Sequence, residues 1–287
     1  MTRYVVVTPV RDEVEFIEQT IKAVASQTVR PLEWVIVDDG STDGTDRALS
    51  RWASELSWLH VVSRPNRGFR KSGGGVVEAF YDGFNVLQSH DWHFIVKLDG
   101  DLTFSPDYFE KCFEHFSEHP RLGIGGGEIY HDLDGALKCE KNPRFHVRGA
   151  TKIYRRDCWE GIGGLLRAPG WDTIDEVRAN MLGWETRSFP DLQLLHHRIT
   201  GAAEGAFRDR MKHGVACYVS GYHPLFVAAS CVYRLFKKPY IVGSFAMCYG
   251  FLKSYFARAP RIDDRSLIRY TRSQQLRKLC GMQTIWK

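Results

Sequence analysis

The stretch "EWVIVDDGSTDGTDRALSRWASEL" at residues 33–56 describes a strand that is followed at once by a helix. Its first residues are mostly apolar and β-branched and end on two aspartates, which predicts a strand over residues 33–39. Serine, threonine and aspartate then precede a segment with helical spacing, which predicts a capped helix over residues 41–56. A strand joined to a helix in this way is the repeating unit of an α/β sheet.

The same alternation continues on both sides of this stretch. Further strand patterns lie at residues 4–9, 59–63 and 93–98, and further helical patterns at residues 14–27 and 74–89. Because strands alternate with helices, we predict βαβ units with right-handed crossovers. The expected fold class is therefore α/β, with a Rossmann-like, mostly parallel sheet flanked by helices.

Candidate functional residues follow the ends of three predicted strands: Pro9, Arg11, Asp38, Asp39, Asp99 and Asp101. In an open α/β sheet, ligands bind beyond the carboxyl ends of the strands. No GxGxxG motif follows the first strand, and "NRGFRKSGGG" at residues 66–75 matches neither a dinucleotide fingerprint nor a P-loop. The pattern therefore argues against a nicotinamide-dependent or ATP-hydrolysing enzyme.

In "FIVKLDGDLTF", at residues 94–104, an apolar strand ends on Asp99 and Asp101 with one glycine between them. Two carboxylates this close repel each other, so a positive partner is expected beside them. Hard oxygen ligands favour Mg²⁺ or Mn²⁺ over zinc, and such an ion is often shared with substrate phosphates. The intervening glycine is expected to let the backbone turn tightly.

The segments "PVRDE", "VDDGSTD" and "DGD", in this order, resemble the family 2 glycosyltransferases, which have the GT-A fold and invert the transferred sugar. The likeness is strong over residues 3–103 and extends to about Arg198. Within the family, the chain resembles the members that build bacterial surface polysaccharides. It implies a GT-A transferase domain over residues 1–200, with a nucleotide-binding half at 1–103 and an acceptor-side half at 104–200.

The resemblance implies a nucleotide diphosphate sugar as donor, with uridine as the nucleoside. Asp39 would accept a hydrogen bond from the base, and Asp38 would support it or contact the ribose. Asp99 would face the ribose and the ion, and Asp101 would ligate the ion directly. The remaining residues implied to line this site are Pro9, Arg11 and Glu13. Two alternatives stay open, since Asp38 could cap the following turn and Arg11 could pair with a nearby acid.

The loop at residues 66–75 departs from the family pattern by adding the cations Arg67, Arg70 and Lys71. Cations beside a diphosphate are favourable, so Lys71 or Arg70 is expected to contact the donor phosphates. The alternative is that this loop is simply solvated.

The segment "LLHHRITG" places His196, His197 and Arg198 after the last predicted strand. A late histidine is often the third metal ligand in GT-A enzymes. The resemblance therefore implies that His196 or His197 completes the metal site and that Arg198 lies at the diphosphate. A buried, hydrogen-bonded histidine is the alternative for either position.

In the family, the catalytic base is the aspartate of a Glu-Asp pair that opens a helix. Counting back from the Gly-aromatic pair at Gly183 leads to Asp172 as the first candidate, with Trp171 in place of the expected glutamate. Asp175 is the second candidate. The two aspartates are three residues apart and share a helix face, so one could be the base and the other a partner of the helix dipole.

A C-terminal extension at residues 201–287 is apolar first and basic afterwards. Apolar stretches at 214–233 and 239–252 predict two helices packed as a hairpin, lying either at a membrane surface or on the core of the main domain. Residues 258–287 hold eight lysines and arginines against two aspartates. We therefore expect peripheral membrane contact through residues 214–287. No nucleic-acid partner is expected, since no recognition module is present.

Two features predict a cytoplasmic protein, which the expected membrane contact would place on the inner face of the cell membrane. The seven cysteines form no CxxC pair, which favours reduced thiols over disulfides or a zinc site. The first apolar run is too short for a secretory signal.

The expected function is a metal-dependent inverting glycosyl transfer that uses Mn²⁺ or Mg²⁺. The acceptor would be a hydroxyl group of a lipid-linked sugar or of a growing polysaccharide. A nucleotidyltransferase is one alternative, although "TPVRDEVEF" at residues 8–16 is not the glycine-rich basic loop expected after its first strand. The other alternative is an inactive, glycosyltransferase-like binding protein, against which the intact DGD and the Asp172–Asp175 pair argue.

Overall fold

The computed structural model describes residues 2–68, 74–198, 205–237 and 239–286. The first hundred residues alternate strands and helices as the sequence predicts. The strands are β1 (Tyr4–Val10), β2 (Glu33–Asp38), β3 (Leu59–Ser63) and β4 (Phe94–Leu98). The helices are α1 (Ile17–Ala25), α2 (Thr45–Glu55) and α3 (Gly74–Phe84).

The second part of the sheet is assembled from more distant strands. It contains β5 (Leu102–Phe104), β6 (Leu122–Leu133), β7 (Ala136–Cys139), β8 (Thr151–Arg155) and β9 (Glu185–His196). Its helices are α4 (Tyr108–Glu118), α5 (Arg156–Ile162) and α6 (Trp171–Met181). The strand order is β3-β2-β1-β4-β8-β6-β9-β5, with β7 beside β6.

The sheet is parallel through β3, β2, β1 and β4 and again between β6 and β9, and its other pairings are antiparallel. Apolar layers cover both of its faces. Val6 and Ile36 belong to one layer, and their neighbours Val5 and Val35 belong to the other. Successive strand residues point to opposite faces, so a sheet covered on both sides needs continuous apolar strands. The predicted α/β class is confirmed.

Ser105 and Pro106 precede helix α4, which starts at Tyr108. The carbonyl of Ser105 accepts a hydrogen bond from the Gln27 side chain, and the carbonyl of Pro106 accepts one from the backbone of Thr28. These contacts with the end of α1 hold the two residues outside the helix.

The prediction of a two-helix hairpin in the extension is wrong in its helix count. The described part of the extension forms α7 (Ala206–Val219), α8 (Pro224–Arg234), α9 (Tyr240–Phe256) and α10 (Arg265–Leu279). The apolar stretch at 214–233 is divided because Nδ1 of His223 caps α8 by accepting a hydrogen bond from the Leu225 amide, with Pro224 at the first helical position.

The extension packs on the main domain through α6. Ile174 and Val177 of α6 share an apolar cluster with Cys217 of α7, Met247 of α9 and Leu267 of α10. Because this core is shared, the division near residue 200 stays a prediction. No helix among the described residues is long and apolar enough to span a bilayer.

Candidate active site

The ends of β1, β2 and β4 meet at one edge of the sheet, as the sequence predicts. Val10 is in register with Asp38, and the Asp39 amide donates to the Val10 carbonyl at 2.9 Å. The parallel register of Val7 with Lys97 places the end of β4 beside them. Residues that follow these strands therefore line a single cleft edge.

Asp38 is buried and organises the turn after β2. Its Oδ1 accepts hydrogen bonds from the amide and the hydroxyl of Ser41, at 2.9 and 2.6 Å. The neighbouring Gly40 has φ +75°, and a side chain there would strike the backbone of Asn66. Pro9 stands opposite Val37 in the sheet. Asp38 therefore caps the turn that follows β2.

The carboxylate of Asp39 lies between two arginines. Arg64 donates to Oδ1 and Arg67 to Oδ2, each at 2.6 Å. Arg67 was among the cations singled out in the sequence, whereas Arg64 was missed because nothing in its local pattern marks it. Lys71, with its neighbour Arg70, lies outside the described residues.

Arg198 is fixed against the turn that follows β1. Its guanidinium donates to the Asp12 carbonyl at 2.9 Å and pairs with Glu13 Oε2 at 3.0 Å. Arg11 lies close by and donates to the side chain of Asn66 at 2.9 Å. Three of the predicted nucleotide-site residues, Arg11, Glu13 and Arg198, are therefore brought to one place from opposite ends of the domain.

Asp99, Asp101 and His196 form a cluster in which one ligand atom from each lies within 4.8 Å of the others. The antiparallel register of Leu102 with His196 brings the histidine to this corner, with Nε2 3.2 Å from Asp101 Oδ2. Burial alone would lower the pKa of His196, but the hydrogen bond and charge of Asp101 raise it. His197 does not join the cluster, since its ring stacks on Phe16 with 5.4 Å between centroids.

The cluster suits a divalent cation of the Mg²⁺ or Mn²⁺ type. It offers two carboxylates and one imidazole, which are ligands that these ions accept. Within the described ranges, Nδ1 of His196 is buried without a hydrogen-bond partner. Asp101 is 5% exposed and has the histidine as its ion-pair partner, so the corner is rich in negative charge.

The glycine of the DGD sequence is needed for a different reason than expected. Gly100 does not have a positive φ. A Cβ atom at this position would instead lie 2.6 Å from Cγ1 of Val10 on β1. Close packing against the neighbouring strand, rather than a tight turn, therefore excludes a side chain between the two aspartates.

Lys97 is a buried cation beside Asp99 that the sequence analysis missed. It is 2% exposed, forms an ion pair with Asp99, and donates to the Gly149 carbonyl at 2.5 Å. Its Nζ also lies 5.5 Å from the ring centroid of Trp171. The signal was present in "FIVKL", because a lysine within a fully buried strand requires a partner.

Asp175 is enclosed by donors. Lys152, which is fully buried, pairs with Asp175 Oδ1 at 2.9 Å and with Glu176 Oε1 at 2.8 Å. The Tyr154 hydroxyl donates to Asp175 Oδ2 at 2.6 Å. Burial raises the pKa of Asp175 to about 6, although the charge of Lys152 acts in the opposite direction.

Asp172 is only partly buried and faces a cavity of about 540 Å³. Burial would raise its pKa, but His146, Lys152 and Arg148 lower it below its ordinary value. A side chain at Gly149 would touch Asp172 Cβ at 3.3 Å.

The Asp99 amide donates to the Ala150 carbonyl at 2.8 Å, next to Gly149 in the chain. Asp99 and Asp172 therefore both adjoin the backbone of Gly149 and Ala150.

The curated relatives match only part of the chain. The putative teichuronic acid biosynthesis glycosyltransferase TuaG of Bacillus subtilis is 30% identical over 113 residues, which is 39% of this chain and 41% of that protein. Chondroitin synthase of Pasteurella multocida is 28% identical over 107 residues, which is 37% of this chain and 10% of that protein. The matched segment is thus well under half of each relative's length.

Solved structures with the GT-A architecture match nearly the whole chain. The mannosyltransferase PcManGT from Pyrobaculum calidifontis, in complex with GDP-Man and Mn²⁺, covers 97% of this chain and 85% of its own, with a TM-score of 0.56 and 17% identity. S. aureus TarS 1–349, in complex with UDP-GlcNAc, covers 90% and 73%, with a TM-score of 0.53 and 15% identity. At these identities the likeness confirms the predicted fold.

One family description, "Glycosyl transferase family 2", matches residues 5–163, which include β1 to β8 and both aspartates of the DGD sequence. The match covers more than half of the chain and agrees with the resemblance drawn from the sequence. The protein belongs to glycosyl transferase family 2.

Proposed function

We propose that this chain is an inverting glycosyltransferase that moves a sugar from a nucleotide diphosphate sugar to a hydroxyl group of an acceptor. The observation that carries this proposal is the Asp99–Asp101–His196 cluster at the end of β4, with Asp99 and Asp172 both next to the backbone of Gly149 and Ala150. Family membership supports it, as do the GDP-Man and UDP-GlcNAc bound to two proteins of the same fold. We assign a uridine diphosphate sugar as the donor.

The metal site would be formed by Asp99, Asp101 and His196 and would take Mn²⁺ or Mg²⁺. Such an ion, when bound, supplies positive charge to the departing diphosphate. His197 is directed elsewhere and is not assigned as a ligand. Lys97 holds the Asp99 carboxylate from inside the protein, and Arg198 is assigned to the diphosphate.

Asp172 is proposed as the general base that removes the proton from the acceptor hydroxyl. The acceptor oxygen then bonds to the anomeric carbon while the bond to the diphosphate breaks on the opposite face, which inverts the configuration. The lowered pKa of Asp172 keeps its carboxylate ionised at neutral pH. Asp175 is proposed as a positioning residue, since Lys152 bonds both its carboxylate and the Asp172 carbonyl.

The nucleotide is proposed to lie over the ends of β1 and β2. Asp39 would accept from the base, flanked by Arg64 and Arg67, while Asp38 supports the turn beneath it. The residues assigned to line the rest of this site are Pro9, Arg11 and Glu13. The contact of Lys71 with the diphosphate is proposed from the sequence alone.

The acceptor is proposed to be a lipid-linked sugar or a surface glycan, reached at the inner face of the cell membrane. Helices α8 and α9 and their connection expose large apolar side chains: Phe236 is 80% exposed, Phe245 is 74% and Ile241 is 66%. Exposed apolar surface of this extent is typical of an interaction site, and aromatic residues are favoured at membrane interfaces. This supports peripheral membrane contact through residues 214–287.

The test is a panel of nucleotide sugars added to the full chain with Mn²⁺, and in parallel with EDTA. We expect at least one donor to raise the unfolding temperature and to be hydrolysed slowly, in both cases only with the metal present. A panel in which no nucleotide sugar binds or reacts with Mn²⁺ or Mg²⁺ would contradict the proposed function.

A further inference from the structure

The cavity beside Asp172 is lined by cations from the C-terminal extension. Helix α6 contributes Asp172, α7 contributes Arg210 and α8 contributes Arg234. His213 of α7 also lines the cavity but adds no charge at neutral pH, because burial and the charges of Arg234 and Arg210 lower its pKa to about 4. A volume of about 540 Å³ is in the range of small-molecule sites and is ample for one sugar unit. The carboxylate proposed as the base therefore shares its cavity with a group of positive charges.

Arg210 and Arg234 lie close enough to repel each other. Burial lowers the pKa of Arg234, and the positive charge of Arg210 lowers it further. Within the described residues, the Arg234 guanidinium makes no hydrogen bond or ion pair, and Arg210 has Asp209 at 3.9 Å. Asp209, whose side chain is 42% exposed, is thus the one ion-pair partner that the described residues offer to the two arginines, and an anion between them would stabilise the arrangement.

This pair of arginines stands at the border of the apolar surface. Arg234 is the last residue of α8, and Phe236, two residues later, is 80% exposed. The stem of Arg210 packs against α9 at Gly243, where a Cβ atom would lie 3.6 Å from Arg210 Cγ. Ile241, at the start of α9, is 66% exposed. The cations thus separate the sugar-sized cavity from an apolar face.

We propose that Arg210 and Arg234 bind the phosphate of a lipid-linked saccharide acceptor, with its lipid on the apolar face of α8 and α9 and its sugar directed towards Asp172. The role of the sugar rests on the proposed function, whereas the phosphate site rests on the arginines alone. Arginine forms charge-assisted bonds with phosphate and is suited to this position. An acidic glycan without lipid would use the cations but would leave the apolar face uncovered.

The test measures binding of three soluble probes by the full chain, without nucleotide and with EDTA, through tryptophan fluorescence. The probes are farnesyl phosphate, farnesol and inorganic phosphate. We expect farnesyl phosphate to bind at least tenfold more tightly than either of the others, because it alone combines the anion with the lipid. Equal binding of farnesol or of inorganic phosphate would overturn the proposal.

Arginine variants test whether farnesyl phosphate binds at the proposed site. We expect Arg234→Gln and Arg210→Gln each to weaken farnesyl phosphate binding by about tenfold or more, as charge-assisted bonds are lost. Arg269→Gln, on the exposed side of α10, is the matched control and should bind as the wild type does. Circular dichroism checks that each variant is folded. Wild-type affinity in both cavity variants would refute the assignment.

The Asp101→Ala variant separates this proposal from the function on which it builds. It should still bind farnesyl phosphate, because Asp101 lies at the metal corner and not among the residues that line the cavity. If the wild type bound farnesyl phosphate through Arg210 and Arg234 but reacted with no nucleotide sugar, the donor reaction would be wrong and the phosphate site would be supported.

Discussion

Two pairs of carboxylates, Asp99 with Asp101 and Asp175 with Glu176, differ in how they are held. Lys152 pairs with both carboxylates of the second pair, at 2.9 and 2.8 Å, His146 lies 2.9 Å from Glu176, and the lysine and both acids are buried. Lys97 pairs with Asp99 alone, and Asp101 is left with a histidine. Both acids of the buried pair therefore share one lysine, whereas Asp101 has no lysine or arginine partner among the described residues and belongs to the cluster that could hold a divalent cation.

The largest expected effect is that of Asp101→Ala. Removing this carboxylate should abolish metal-dependent donor binding and lower the transfer rate by about a thousandfold or more, since a metal contributes several kcal/mol to the transition state. The rate and the donor affinity are measured with Mn²⁺ and with EDTA. Asp46→Ala, at an exposed position in α2, is the control. Turnover at the wild-type rate in Asp101→Ala would contradict the metal role.

Lys152→Met is expected to lower the free energy of unfolding. It leaves Asp175 and Glu176 buried without their cation, which typically costs about 3–5 kcal/mol of unfolding free energy. Urea denaturation measures this loss. Lys111→Met, which breaks the exposed i,i+4 pair with Asp107, is the control and should change little. If the two variants were equally stable, the charge balance described for Lys152 would be wrong.

Asp172→Asn and Asp175→Asn distinguish the candidate bases. Asp172→Asn should keep the fold and donor binding but lower transfer by about a hundredfold or more, as expected on losing a general base. Asp175→Asn should reduce stability, since Lys152 and Tyr154 lose a charged partner. Steady-state rates and denaturation curves of both variants are compared. Loss of transfer in a fully stable Asp175→Asn would reverse the assignment.

The smallest expected effect is a pH dependence of the unfolding free energy, caused by His146 beside Glu176. Burial would lower the pKa of His146, but Glu176, at 2.9 Å, raises it, and Asp172 acts in the same direction while Lys152 opposes it. The folded-state pKa is therefore above the unfolded value of about 6.5. The protonated His146 ring therefore stabilises the folded state fully below the unfolded-state pKa of about 6.5. This stabilisation is lost as the pH rises through the folded-state pKa.

His146→Gln should consequently lower the unfolding free energy more at pH 6 than at pH 9. Urea denaturation of the variant and the wild type at both pH values gives the comparison. An equal loss at the two pH values would show that the charge of His146 contributes nothing.

Much of the fold followed from local patterns. Periodicity located β1 to β4 and their helices, and the bounds of β3 agree fully, because each parallel strand is a continuous apolar run between turn residues. The corner of Asp99 and Asp101 was also predictable, since the carboxyl ends of such strands share one edge. The roles of the individual site residues stay predictions until the variants are measured.

What could not be predicted depends on distant contacts. The register of β5 with β9 determines that His196, and not His197, lies beside Asp101. This register pairs residues that are far apart in the chain. Lys152 pairs with acids more than twenty residues away, and Arg64 reaches Asp39 across the sheet edge. No local pattern encodes these contacts.

Helices α7 and α9 are in direct contact, and they connect the cavity wall to the exposed apolar surface. A side chain at Gly214 would collide with the Met247 carbonyl, and one at Gly250 with the Met211 carbonyl, so the two backbones touch. Helix α7 carries Arg210 towards the cavity, and α9 presents Phe245 to the outside. The distance between the exposed surface of α9 and the cavity wall is therefore set by backbone contact, with no side chain between the two helices at these glycines.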